Sequence, residues 1–207
     1  MIDKIGNAIQ PFDIKNISHI VECVKPRWSA PSWEDSFRNF YAERIIRDNY
    51  FKNGLTFQLV CKDSKLQKEL LAIIFFQKKF DKNNVDEWIL QKTKELNITD
   101  EQKISLKMCT DFLEHMESKV HALMSDEDIK LSLFVALKKG SGKILFEELW
   151  QKLKKDGYKN MYLWTDCECN WEWYIKNGFT LIEESVYEKF SQLDGEEYKT
   201  YVFKKEF

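Results

Sequence analysis

Apolar positions along the chain fall into two rhythms, one repeating every three to four residues and one every two. Ile17, Ile20, Val21 and Val24 share one face of a helix, and Pro26 to Trp33 then breaks the pattern as a loop. Ser32 has the chemistry of an N-cap for a second helix, with Glu34 and Asp35 in its first turn and Phe37, Phe40, Tyr41, Ile45 and Ile46 on its apolar face. Ahead of both, Ile9 to Ile14 reads as a short edge strand, because Pro11 has no N–H for a central ladder. Asn53-Gly54 turns the chain into Leu55–Cys61, Lys62–Lys65 reads as a second turn, and Leu70–Phe76 follows. That last run is apolar on both faces, as in a central strand, and the two runs form a hairpin.

Residues 81–125 carry two more helical patterns. Val85, Trp88, Ile89 and Leu96 mark the first. The second starts at Thr99, which with Gln102 makes a capping box, and carries a stripe at Ile104, Met108, Phe112, Met116, Val120 and Leu123. Such a stripe is ordinarily core or a helix–helix contact. Ile129–Leu137 is an apolar run that ends in Lys138-Lys139-Gly140-Ser141-Gly142-Lys143. A helical face on Leu145, Phe146 and Leu149 follows, then a strand over 159–165, and a short helix closed by Gly178. Thr180–Tyr187 and Glu197–Phe203 read as final strands, with Leu193-Asp194-Gly195 as the turn between them. The order predicts one α/β domain over 1–207, a mixed sheet with a helical insertion.

Composition narrows the function. A net charge of −2 and a pI near 6.0 argue against a general nucleic-acid binder. A hydrophobic content of 43% supports a sizeable core, and no apolar run approaches the roughly 20 residues of a membrane span. Five scattered cysteines do not form a disulfide framework, and Met1–Gly6 lacks the basic and apolar regions of a secretory signal, so a cytoplasmic location is expected. Cys167-Glu168-Cys169 supplies only two sulfurs with no nearby histidine, and no metal site is expected there.

The glycine turn is the candidate for chemistry, since a turn that opens a helix presents free N–H groups and the positive end of the helix dipole, which suit a phosphate. A P-loop would need a glycine at Leu137 and a hydroxyl at Ile144; a dinucleotide fingerprint would need a third glycine at Leu145. Both fail on specific atoms.

Leu131 to Phe179 resembles the core of the GNAT superfamily of N-acetyltransferases. Gly140-x-Gly142 is similar to that family's pyrophosphate-binding turn, and Trp173-Tyr174-Ile175-Lys176-Asn177-Gly178-Phe179 to its Phe-Tyr-x-Lys-x-Gly-Phe. The resemblance implies a mixed, mostly antiparallel central sheet flanked by helices, here with a two-helix insertion, and acetyl-CoA as cofactor. It further implies acetyl transfer to a primary amine of a small molecule, peptide or protein. Phe134, Val135 and Ala136 would line the pantetheine and polarise the thioester carbonyl, and Gly140, Ser141, Gly142 and Lys143 would hold the pyrophosphate. Tyr174 would protonate the departing thiolate.

Leu137 stands where the family has Gln or Arg, and Cys167 where it commonly has Asn. Lys138 and Lys139 are candidates to replace the first contact by charge, and Asn170, one helical turn on, to replace the second. These departures motivate an alternative, a non-catalytic acyl-CoA-binding or interaction module on the same fold. By residue chemistry alone Tyr174 equally well packs beside Trp173. No general base stands out: Asp166 and Glu168 follow the fifth strand, and His19, His115 and His121 read as surface or satisfied histidines. Trp28, Trp33 and Arg27 are candidates for an acceptor pocket, and the inserted helices either cover the acceptor side or form a homodimer contact.

Overall fold

The computed structural model describes residues 7–61 and 69–207, so the turn read at Lys62–Lys65 and the segment Met1–Gly6 lie outside the described residues. Strands β1 (Asn7–Pro11), β2 (Thr56–Cys61), β3 (Glu69–Gln77), β4 (Ile129–Ala136), β5 (Asn160–Asp166), β6 (Thr180–Val186) and β7 (Lys199–Glu206) form one sheet in the order β1-β2-β3-β4-β5-β7-β6. Only β4 and β5 run parallel; every other pairing is antiparallel. The helices are α1 (Ile17–Trp28), α2 (Asp35–Asp48), α3 (Val85–Leu96), α4 (Asp100–Leu123), α5 (Ser141–Lys155), α6 (Glu172–Lys176) and α7 (Glu188–Asp194).

Helix α5 covers one face of the sheet through Leu145, Phe146, Leu149 and Leu153, packed on Phe57, Ala72, Ile74, Leu131, Met161, Leu163 and Phe203. Helices α1 and α2 cover the opposite face over β2, β3 and the second half of β4, with Ile20, Val21, Ala42 and Ile46 on Ile73, Phe75 and Leu133. Helix α4 continues that layer over β5 and β7 through Phe112, Met116 and Val120. Burying a side chain of this size contributes about 1.5–3 kcal/mol each.

Local expectations are corrected in four places. Helix α1 runs through Pro26 to Trp28, because a missing N–H in the last turn removes one bond without stopping the chain. Trp28 is therefore helical and not in the loop. Ser32 does not cap α2: it lies in the turn closed by Trp33 N–H on the Ala30 carbonyl, and Glu34 holds the cap position. The Thr99–Gln102 capping box on α4 is present, but the buried face of that helix is Leu106, Cys109, Phe112, Met116 and Val120, with Ile104 and Leu123 exposed. A strict four-residue spacing drifts around a helix of 3.6 residues per turn, so its ends leave the contact. Finally, the segment read as a turn at Leu193-Asp194-Gly195 is the end of α7, stopped by Gly195 in the left-handed region.

One irregularity positions the site. Phe75 pairs with Leu133 and Phe76 with Leu131, so Ser132 is an extra residue on β4, a β-bulge. Before it, Ile129 and Leu131 face α5; after it, Leu133 and Val135 face α1 and α2. The bulge bends β4 at the level where it leaves β5.

Candidate functional site

Strands β4 and β5 pair only at Ile129–Met161 and Lys130–Tyr162, although β4 continues to Ala136 and β5 to Asp166. Beyond Lys130 each strand is held on its outer side alone, β4 by β3 and β5 by β7 along its whole length. The sheet opens as a wedge. Leu137 N–H donates to the Leu71 carbonyl of β3 at 2.9 Å. Backbone alternation then turns Val135 toward β3, and the N–H and C=O groups of Phe134 and Ala136 toward the wedge.

At its mouth the chain turns into α5. Gly140 has φ +87°, a conformation that costs other residues about 1–2 kcal/mol. Ser141 faces inward: its hydroxyl lies 2.7 Å from the Leu71 carbonyl and 2.6 Å from that of Lys138, to which its N–H also donates. Ser141 therefore braces the turn. The amides of Lys139, Gly140, Gly142 and Lys143 have no acceptor among the described residues. Gly142 sits close against β4, since a Cβ there would stand 3.0 Å from Phe134 Cζ and 3.1 Å from Ala136 Cβ. Lys138 pairs with Glu69 at 2.6 Å and Lys143 approaches Glu147 at 3.7 Å. Lys139, exposed, has no ion pair among the described residues.

Helix α6 places its two aromatic residues differently. Trp173 meets Phe134 edge-on at 5.3 Å and Phe146 at 5.4 Å, linking α6 to β4 and α5. Among the described residues, the ring contacts of Tyr174 are Trp173, Phe179 and Phe203, none of them on β4. Its hydroxyl has no hydrogen bond among those residues. Desolvation first, then Cys169 and Asp166, hold its pKa above the usual phenol value. Cys169 is itself a neutral thiol at neutral pH, its pKa pushed up to about 12 by desolvation and by Asp166. The phenol stays protonated. Asn170 is exposed in the loop before α6, Glu168 is exposed, and its N–H donates to Asp166 Oδ1.

The opposite face of the sheet holds a charged group that the sequence reading passed over. Lys130, buried on β4, donates to Glu117 of α4 and lies 3.4 Å from Gln77 Oε1; Trp164 Nε1 of β5 donates to the same Glu117 oxygen at 2.8 Å. Glu117 thus joins β4 to β5 where they part. Burial pushes its pKa up, but the Lys130 ammonium, Trp164 N–H and His121 outweigh it and hold the carboxyl below its usual range. The signal was a lone lysine inside an apolar strand, which needs a counter-ion when buried. His121, 3.7 Å from Glu117, is held below the usual histidine pKa by burial and the nearby lysines, and its Nε2 is enclosed without a partner. It is neither a surface histidine nor a satisfied one.

Two cavities of about 280 Å³ each lie beside α2, one between α2 and α3 beside Arg47 and Trp88, the other between α2, α4 and the end of β3. Trp33 packs on Phe37 and Tyr41 at 4.9 and 5.0 Å, Trp28 on the α1–α2 core, and Arg27 is exposed. No group of three or more His, Cys, Asp or Glu that could hold a metal ion exists among the described residues, all five cysteines are free, and no helix is long and apolar enough to cross a membrane.

No family model matches the chain, and no curated protein matches its sequence. Solved structures do match in shape. The C-terminal condensation domain of Ebony, in complex with beta-alanyl-dopamine, aligns over 100% of both chains with a TM-score of 0.64 and 9% identity. The ribosomal-protein-S18-alanine N-acetyltransferase of Escherichia coli aligns over 97% of this chain and 93% of its own, with a TM-score of 0.51 and 12% identity. The Drosophila melanogaster polyamine N-acetyltransferase, which forms N-acetylagmatine, aligns over 97% and 100% at 0.53 and 11%. The fold is that of the GNAT N-acetyltransferases, a mixed and mostly antiparallel sheet flanked by helices.

Proposed function

We propose that this chain is an acetyl-CoA-dependent N-acetyltransferase that moves an acetyl group directly to a primary amine of a small molecule or peptide. The observation that carries the reading is the parting of β4 from β5 after Lys130 and Tyr162, in a sheet otherwise continuous from β1 to β6. That wedge offers the inward N–H and C=O groups of Phe134 and Ala136 to an extended pantetheine arm, which would pair with β4 as an added strand. At the mouth, the unpaired amides of Lys139, Gly140, Gly142 and Lys143 and the N-terminus of α5 fit a pyrophosphate. Lys139 adds charge that no carboxylate among the described residues neutralises, whereas Glu69 offsets Lys138.

In the reaction the neutral amine attacks the thioester carbonyl carbon, a C–N bond forms, the C–S bond breaks, and the nitrogen loses a proton while the leaving sulfur gains one. The N–H of Phe134 or Ala136 would polarise the carbonyl, as an oxyanion donor fixed before reaction. Tyr174, kept neutral by its surroundings, would donate a hydrogen bond and then its proton to the forming thiolate. Its packing on Phe179 and Phe203 also supports the competing reading, a non-catalytic acyl-CoA-binding module. Release of free thiol from acetyl-CoA with an amine panel separates the two. A dissociation constant near 10 μM would give about 2.7 kcal/mol of stabilisation at 1 mM acetyl-CoA, and so a rise in Tm of several degrees. No rise at that concentration would count against both readings. A cytoplasmic location is part of the same proposal.

A further inference from the structure

We propose that the cavity between α2, α4 and the end of β3 binds a small aliphatic amine that enters as a cation and carries one hydrogen-bond-accepting oxygen. Its walls bring together the carboxylates of Asp48, Asp86, Glu114 and Glu117 with the Arg44 guanidinium; Asp48 is paired with Arg44 and Glu117 with Lys130, which leaves Asp86 and Glu114 as the further acids of the lining. Arg44 is only 3% exposed. Its Nη2 donates to Thr110 Oγ1 at 2.9 Å and stands 3.3 Å from Asp48 Oδ2, while Nη1 has no partner. Asp48 Oδ2 and His121 Nε2 are also enclosed without a hydrogen bond, so three of the four such side-chain atoms among the described residues belong to this one cavity. Buried polar groups are normally satisfied, and a concentration of exceptions marks a place built for something else.

The unsatisfied atoms specify the ligand. Arg44 Nη1 can only donate and suits an oxygen; Asp86 and Glu114, with Asp48 whose Oδ2 is shared with Arg44 Nη2, suit an ammonium. Burial first, with Asp86, Glu117 and Glu114 adding to it against Arg44, pushes the Asp48 pKa up to about 6. These acids do not converge as a metal cage among the described residues, which favours an extended organic cation. The cavity shares Glu117 with the base of the wedge, where that carboxylate takes hydrogen bonds from Lys130 of β4 and Trp164 of β5. As the seat of the acetyl acceptor the cavity rests on the acetyl-transfer reading; as a ligand site it does not.

The test is calorimetric titration of the intact chain with 4-aminobutanamide, butane-1,4-diamine and butanamide, on the native sequence, Asp48→Asn and Glu114→Gln, with acetyl-CoA titrated separately. Glu114 is exposed on α4, so its variant keeps the fold if Asp48→Asn does not. The aminoamide should bind most tightly, the diamine several-fold more weakly and butanamide not saturably; each variant should weaken the aminoamide on the order of tenfold. Equal binding of butanamide, or aminoamide binding unchanged in both variants, would overturn the proposal, and a diamine as tight as the aminoamide would overturn the part played by Arg44. If acetyl-CoA fails to bind while the amines behave as expected, the acetyl-transfer reading falls and the ligand site stands. If acetyl-CoA binds and the amines ignore the variants, only the ligand site falls.

Discussion

The two faces of the sheet at the point where β4 leaves β5 are built from opposite materials. Toward α5 lie rings and backbone: Phe134, Phe146 and Trp173 in edge contact, and a turn whose unpaired groups are main-chain amides. Toward α2 and α4 lie side-chain charges: Arg44 beside Asp48 on α2, His121 beside Glu117 on α4, and Lys130 of β4 reaching across to Glu117. A backbone site needs only the right turn, so it tolerates variation in nearly every side chain. A charged site depends on each partner being present, because a buried ion that loses its counter-ion is left uncompensated.

That contrast sets the order of expected effects. Lys130→Met should be the most damaging change, costing about 3–5 kcal/mol by leaving Glu117 unpaired. The double variant Lys130→Met, Glu117→Gln should recover much of that loss in urea denaturation, and a double variant as unstable as the single would show that Lys130 acts by packing alone. On the other face, Tyr174→Phe should lower turnover by about 10²-fold or more if the phenol donates the proton. It should leave stability and acetyl-CoA affinity nearly unchanged, since the hydroxyl has no internal hydrogen bond to lose. Turnover equal to the native protein would remove Tyr174 from the chemistry.

Asp48 gives a test in pH. Its folded pKa near 6 lies above the ordinary 3.8, so between those values the folded state holds a proton that the unfolded state has released, and this contribution to stability is lost as pH rises through about 6. Asp48→Asn should remove that slope, but because Asp48 is also the carboxylate paired with buried Arg44, the variant's stability near pH 7 should not exceed that of the native protein. Glu117, with its depressed pKa, acts in the opposite sense and at lower pH, losing its contribution as pH falls through its folded value. Smallest is the glycine pair. Gly140→Ala should cost about 1 kcal/mol through positive φ alone, having open space around it. Gly142→Ala should cost a similar amount through contact with the Phe134 ring, which has a few tenths of an ångström to yield. Urea midpoints distinguish these from changes that leave stability untouched.

Legibility in the sequence follows the same division. Most of the succession of elements, the inserted helices, the Thr99 cap and the glycine turn come from local periodicity and turn chemistry, and each is visible in a short window; the order of the strands within the sheet is not. The bulge at Ser132 is not, because Leu131-Ser132-Leu133 reads as plain alternation, yet the two leucines face opposite sides of the sheet. The charged cluster was half visible: Lys130 inside an apolar run asked for a partner, but nothing local singles out Glu117 from the other acids of α4. Arg44 and Asp48 are neighbours on α2, but only the fold brings them to Thr110 and His121 of α4 around one cavity. Trp28 and Trp33, conspicuous in sequence, serve the helical core.

The central claim is that the glycine turn and the inner edge of β4 receive the acetyl donor, and a ¹⁵N–¹H amide titration with coenzyme A tests it residue by residue. The largest shifts should fall on Lys139, Gly140, Gly142, Lys143, Phe134 and Ala136, with Val135 and Leu137, which face β3, moving less. Shifts confined to other parts of the sheet, or none at millimolar coenzyme A, would contradict it.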